Sequence, residues 1–203
     1  MKKKLLTAIA VMASLCGYAQ TKGTSTLGLG INVFTDKTEQ TGQLQNSSSV
    51  ERKTNSFTLG YGLFVEDNTR IGIDLQYGKI KGEYYDVKSY GGQVSYQKYY
   101  PLVSKLYAYA GGRARYNYSN QEGGVPGTYY NSNQYSLGAY GGVTWFVSKR
   151  FAFETTLLSA NATYLKSEQK IDGTNPYVNK QTGFNMTTDG FINDLGFKIY
   201  LLF

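Results

Sequence analysis

The chain has no His, a single Cys, only 3 Pro and, past its first residues, no apolar run long enough for a membrane-spanning helix. Each lack excludes something. Without His there is no histidine-based triad, no His-ligated zinc and no imidazole acid–base catalysis at neutral pH. One Cys makes neither an intramolecular disulfide nor a thiolate zinc site. Without runs of about 18–20 apolar residues, a bundle of transmembrane helices is impossible. Charge is also sparse, at 17% of 203 residues, whereas 24 Gly and 20 Tyr are abundant. The glycines show no period of three, so collagen is excluded, and the aromatics argue against disorder. The length suits one domain with at most a short appendage.

Residues 1–19 read as a secretory signal peptide. Lys2, Lys3 and Lys4 form a basic start, Leu5 to Leu15 an apolar stretch, and Gly17-Tyr18-Ala19 a small-x-small cleavage site. Cys16 leaves a lipoprotein alternative, although Leu15 occupies the place where such sites carry a small residue. With cleavage after Ala19 the only Cys is lost, as suits an oxidising compartment without disulfides. The formal charge then falls from +7 to +4. No helix-borne basic patch, zinc knuckle or phosphate loop accompanies it, so nucleic acid is not an expected partner.

From Thr24 onward, stretches of about ten residues with period-two alternation are separated by polar breaks, the pattern of strands with two unlike faces. Leu27, Leu29, Ile31 and Val33 oppose Gly28, Gly30 and Asn32. Phe57, Leu59, Tyr61, Leu63 and Val65 oppose Thr58, Gly60 and Gly62. Six further stretches follow, eight in all. The fourth is weak because Lys98 breaks the alternation, which suggests a bulge there. The seventh becomes ambiguous after Leu158. The breaks run long, short, long, short: near Asp36 to Thr54, Glu66 to Thr69, Gly82 to Gly91, Pro101 to Lys105, Asn120 to Asn133, Ser148 to Arg150 and Lys166 to Asp189. That is an up-and-down meander with one long-looped rim and one trimmed rim, and it predicts an eight-stranded antiparallel barrel over residues 20–203.

Alternation alone does not say which face is inside. A soluble lipocalin-like barrel that binds a ligand puts the apolar rows inward, and a membrane barrel puts them outward. An eight-stranded lumen is only just wide enough for side chains, so the glycine- and serine-rich face fits inside and the Leu, Ile, Val and aromatic face fits against lipid. Tyr100, Trp145 and Phe151 then sit near the short turns as interface aromatics. Asp74, Arg113, Arg115, Glu154, Asp194 and Lys198 point into the lumen, where a polar network closes it. Counting along the strands predicts a lower layer of Asp74, Glu154 and Lys198 and an upper layer of Arg113, Arg115 and Asp194. Glu168, Asp172 and Asp189 offer at most a weak calcium site. Tyr129, Tyr130 and Tyr177 are candidate contacts for an extracellular ligand.

Phe191, Leu195, Phe197, Ile199, Leu201 and Phe203 form an amphipathic strand ending in Phe, similar to the C-terminal assembly signal of bacterial outer-membrane barrels. With the signal peptide and the eight strands, the chain resembles the OmpA/OmpX-like small outer membrane beta-barrel family. That resemblance implies an integral outer-membrane protein of Gram-negative bacteria, a scaffold presenting surface loops. It implies termini in the periplasm, contact with the barrel assembly machinery and periplasmic chaperones during biogenesis, a monomer, no cofactor and no enzymatic activity. A narrow pore or carrier for small hydrophobic solutes is the alternative.

Overall fold

The computed structural model describes residues 21–40, 48–82, 85–123, 128–171, 175–187 and 197–203. The signal-peptide reading of residues 1–19 lies outside them. Within them the chain is all β, with strands β1 Ser25–Gln40, β2 Ser48–Glu66, β3 Thr69–Lys81, β4 Tyr85–Val103, β5 Leu106–Gly123, β6 Thr128–Phe146, β7 Phe151–Ile171, β8 Tyr177–Thr187 and β9 Phe197–Leu202. Each strand from β1 to β7 pairs antiparallel with the next in sequence, and β9 closes the ring between β7 and β1.

The last stave of the expected eight is built in two pieces. β8 pairs with the distal part of β7, from Ser159↔Thr187 to Gln169↔Tyr177. β9 pairs with its beginning, from Phe151↔Leu201 to Glu154↔Lys198. Phe191, Leu195 and Asp194 lie between them, outside the described residues.

Most of the expected long breaks are strand. β7 runs 21 residues, about twice what a tilted strand needs to cross hydrocarbon. The polar segments near Asp36, Gly82, Asn120 and Lys166 therefore continue as paired hairpins beyond the apolar zone. Their composition signals a change of solvent and not a change of backbone. Side chains there bond across strands: Ser119 and Ser132 lie 2.6 Å apart, and Asn120 Nδ2 donates to Asn131 Oδ1 at 2.8 Å. Tyr116 and Tyr118 donate to Asn133 and Asn131.

The opposite rim is trimmed. Asp67 and Asn68 join β2 to β3, with Asn68 at φ 60°, a conformation Asn tolerates well. Ser104, at φ 49°, turns β4 into β5. At the β6–β7 turn the Ser148 hydroxyl accepts from the backbone N–H groups of Arg150 and Phe151.

Among the described residues three bulges interrupt the ladders. Lys98 is not one of them: its pairing with Ala110 is regular, and its side chain points outward beside the short-turn rim while Tyr99 points in. The irregularity of β4 lies instead between Pro101 and Val103, where a missing N–H is harmless. A second separates Phe64 from Glu66. In β7, Gly141 pairs with Leu158 and Gly142 with Thr156, so Leu157 is the extra residue. It explains why the alternation of that stretch cannot be followed from the sequence past Leu158.

Sidedness is unequivocal. Leu29, Ile31, Leu59, Ile73, Leu75, Val94, Leu137, Trp145, Phe153 and Ile199 are all exposed on the outside. A continuous apolar belt of this kind has no stable exposure to water; it is the surface of a transmembrane barrel, and the lipocalin-like alternative is excluded. The interior core is aromatic, comprising Phe64, Tyr99, Tyr109, Tyr140, Phe146 and Tyr200 with Ala152 and Leu202. Phe64, Tyr99, Phe146, Tyr200 and Leu202 gather at the short-turn end.

Candidate functional site

The lumen at the short-turn end is filled by a side-chain network centred on Glu154, which is 6% exposed. It faces inward because Phe151 and Phe153, its neighbours at odd positions, face out. Its Oε1 accepts from Gln97 Nε2 at 3.1 Å and from the Tyr200 hydroxyl at 3.1 Å. Its Oε2 accepts from Thr144 Oγ1 at 3.1 Å and lies 3.1 Å from the Tyr99 hydroxyl. Three strands, β4, β6 and β9, thus converge on one carboxylate of β7. Arg70, 4% exposed, supplies the countercharge, with its Nη2 at 3.7 Å from Oε1. That guanidinium also donates to Gln97 Oε1 and, at 2.7 Å, to the Tyr200 hydroxyl, while its carbon sits 4.1 Å over the Tyr200 ring.

A buried ion pair survives only when its desolvation is met by further hydrogen bonds. Here the phenols, the amide and the threonine supply them. Phe64, Tyr109 and Phe146 pack around Tyr99, with ring centroids 5.6–6.1 Å apart. The result is a plug with a charged centre and an aromatic rim.

A second pair sits one layer higher. Lys198 Nζ donates to Asp74 Oδ1, and Gln93 Nε2 donates to Asp74 Oδ2 at 2.6 Å. Gln93 in turn accepts from Arg115 at 3.0 and 3.2 Å. Two glycines make room for these groups. A Cβ on Gly60 would run into Asp74 Oδ1, and one on Gly28 would meet the Tyr200 ring at 2.6 Å.

The layering expected from counting is therefore redistributed. Asp74 and Lys198 do meet, but Glu154, although paired in register with Lys198, turns to Arg70 instead. Arg113 meets no acid among the described residues. It donates to Asn161 Oδ1 at 3.3 and 3.4 Å and lies 4.9 Å over the Tyr140 ring. Asp194 lies outside the described residues. Arg70, Gln97, Tyr99 and Tyr200 were not singled out from the sequence, although the parity that placed Lys198 inward also places Tyr200 inward. Arg70 was obscured by its position at a turn.

Tyr100, Trp145 and Phe151 face outward near the short turns, with Trp145 against Phe153 at 6.4 Å. At the other margin Tyr77–Tyr90 and Tyr116–Tyr135–Tyr164 form outward aromatic ladders. Phe197, Ile199, Leu201 and Phe203 also face outward. Glu168 is engaged by Lys166 at 2.7 Å, and Asp172 and Asp189 lie outside the described residues. No group of metal-ligating side chains forms among the described residues. Tyr129 and Tyr130 lie on distal β6 and Tyr177 on β8, all exposed.

A closed antiparallel meander with an apolar exterior, aromatic margins and a polar interior is the fold of the small outer-membrane β-barrels. No protein-family model matches the chain, and no curated protein matches it. Among solved structures it is similar to the outer membrane protein OprG from Pseudomonas aeruginosa, at 14% identity and a TM-score of 0.51, over 91% of this chain and 97% of that one. Neisserial surface protein A is similar at 18% identity and a TM-score of 0.47, over 90% of this chain and 98% of that one.

Proposed function

We propose that this protein is a scaffold of the bacterial outer membrane, with its short turns in the periplasm and its long hairpins displayed outside. The observation that supports this reading is the Glu154-centred plug, which occupies the lumen where a pore would need to be open. The wall is committed to lipid by its outward rows, so partner specificity falls to the distal hairpins, where Tyr129, Tyr130 and Tyr177 are the exposed aromatic contacts. The C-terminal strand, with Phe197, Ile199, Leu201 and Phe203 on its outer face, is the element offered to the assembly machinery. The reading is of a monomer without catalytic activity; a barrel enzyme built around His has no base here.

The test is conductance of the refolded protein in planar bilayers. The scaffold reading expects a silent membrane, and stable open currents overturn it. A carrier for small hydrophobic solutes is the second reading. It is favoured by one feature: the lumenal cavity reaches the wall at Ile31 and Phe197, two outward-facing residues at the last described β1–β9 pair.

A further inference from the structure

Charge at the short-turn rim is divided between its two sides. Lys98, Lys105, Lys149 and Arg150 stand on β4 to β7 or on the turns that join them. The surface acids of that rim among the described residues, Glu66 and Asp67, stand at the β2–β3 turn, where Asp67 accepts from the backbone N–H of Lys22 at 2.9 Å. We propose that the β4–β7 side of the rim is a docking surface for the phosphodiester headgroups of anionic phospholipid, with Lys98 as its anchor. The inference rests on the lipid-facing wall and not on the scaffold reading, so a conducting barrel would leave it standing.

Three observations carry the proposal. First, none of the four cations is in an ion pair among the described residues. Lys105 Nζ donates to the Val147 carbonyl at 2.9 Å, a neutral acceptor that leaves its charge uncancelled. At the opposite margin, by contrast, Lys79 and Lys166 reach Asp86 and Glu168 at 2.9 and 2.7 Å.

Second, the cations are carried on fixed backbone. The Lys105 carbonyl accepts from the Phe146 N–H at 2.9 Å, which ties the β4–β5 turn to the β6–β7 turn. The Ser148 hydroxyl holds the N–H groups of Arg150 and Phe151, and the Arg150 carbonyl accepts from Leu202 at 2.8 Å. A preorganised surface orders little on binding.

Third, Lys98 points sideways into the membrane and not down the barrel axis. It is exposed on the outer face between Tyr96 and Tyr100, and its register partner Thr69 opens β3 at the rim. A Lys on the lipid face is costly at depth and tolerated near the interface, where its stem lies along apolar surface and its ammonium reaches the headgroups. Tyr100, Leu102, Trp145 and Phe151, all exposed around the same turns, need hydrocarbon beside the charges. A soluble acidic protein covers the cations but not this wall, so lipid is the occupant.

Trp145 reports on the surface directly, because it pairs with Leu106, the neighbour of Lys105. The refolded full chain is placed in vesicles of constant composition, phosphatidylcholine in excess over phosphatidylglycerol, with bromine near the headgroup end of one lipid or the other. Per mole of lipid, brominated phosphatidylglycerol should quench Trp145 about fivefold more effectively, the order expected of an interfacial cation. Lys98→Gln, and Lys149→Gln with Arg150→Gln, should each lower that ratio, whereas Lys180→Gln on exposed β8 should not. Excess soluble glycerol 1-phosphate should leave it unchanged. Equal quenching by the two lipids overturns the proposal, and binding of polyglutamate in their place would assign the surface to acidic protein. Displacement by glycerol 1-phosphate overturns it too, as does a ratio that survives both sets of substitutions. Should those variants not refold, salt decides: raising it from about 0.1 M to about 1 M shortens screening from about 10 Å to about 3 Å, and an unmoved ratio overturns the docking surface.

Discussion

Glu154 and Arg70 show how much rests on single side chains in a lumen this narrow. Their attraction is strong because water is excluded, and for the same reason either one alone is costly. Glu154→Gln preserves shape and most hydrogen bonds but leaves Arg70 facing neutral groups. We expect unfolding in urea, measured in lipid vesicles, to show a loss of about 3–5 kcal/mol. The double variant Arg70→Met with Glu154→Gln should recover most of it, since a neutral filling removes the uncompensated charge. Equal losses in the single and double variants would show that the pair itself is unimportant. The inward direction of Glu154 was readable from alternation, but its partner was not: Lys198 stands opposite in register and Arg70 does not. Register fixes backbone neighbours, while a long Lys or Arg side chain chooses among carboxylates several strands away.

At the scale of the element, alternation located eight staves and misjudged their ends. It read hairpin tips as loops because strand propensity is weakest in Asn-, Ser- and Gln-rich segments. In the fold, pairing with an already ordered neighbour overrides that preference. β7 shows the other limit, since a bulge hides parity. Removing Leu157 should leave every other side chain of β7 on its present face, with Leu158 outward and Ser159 inward. That deletion should therefore refold, whereas deletion of Ile73 from the bulge-free body of β3 should not, because a one-residue slip reverses the faces. Far-UV circular dichroism after dilution into detergent distinguishes the two.

On distal β7 the Lys166–Glu168 contact is solvent-exposed, and the hydrogen bond from Lys166 holds the Glu168 carboxyl below its ordinary range. A lowered acid contributes to the hairpin above the pH at which it would titrate unfolded, and the contribution disappears as pH falls through the lowered value. Side-chain carbon shifts of Glu168 should show a midpoint below that of an unpaired glutamate, and Lys166→Gln should restore it. An unchanged midpoint in that variant would deny the contact.

For the whole molecule, orientation is the property from which the others follow. Trp145 is the sole Trp, and it is 53% exposed on the outer face near the short turns. Its fluorescence in reconstituted vesicles should be quenched more by lipids brominated near the headgroup than by those brominated at the chain end, as expected of an interfacial ring. Insensitivity to every brominated lipid would mean that the belt does not face hydrocarbon. The global topology was legible because solvent on one side and a crowded lumen on the other impose opposite demands on alternate residues. The division of the last stave was not, since the apolar row from Phe191 to Phe203 is interrupted only at Asn193 while its described pairing begins at Phe197.

The hydrogen bond from Arg70 to Tyr200 joins residues 130 positions apart. Such a clasp cannot fasten while the terminal strands are separate, so the seam between β1 and β9 and the filling of the interior must be completed together. Most of the loop-closure entropy is thus lost before the strongest lumenal contacts return anything. The consequence is a folding reaction with a late, all-or-none final step, in which a chain that has threaded most of its staves still gains little until the last one docks.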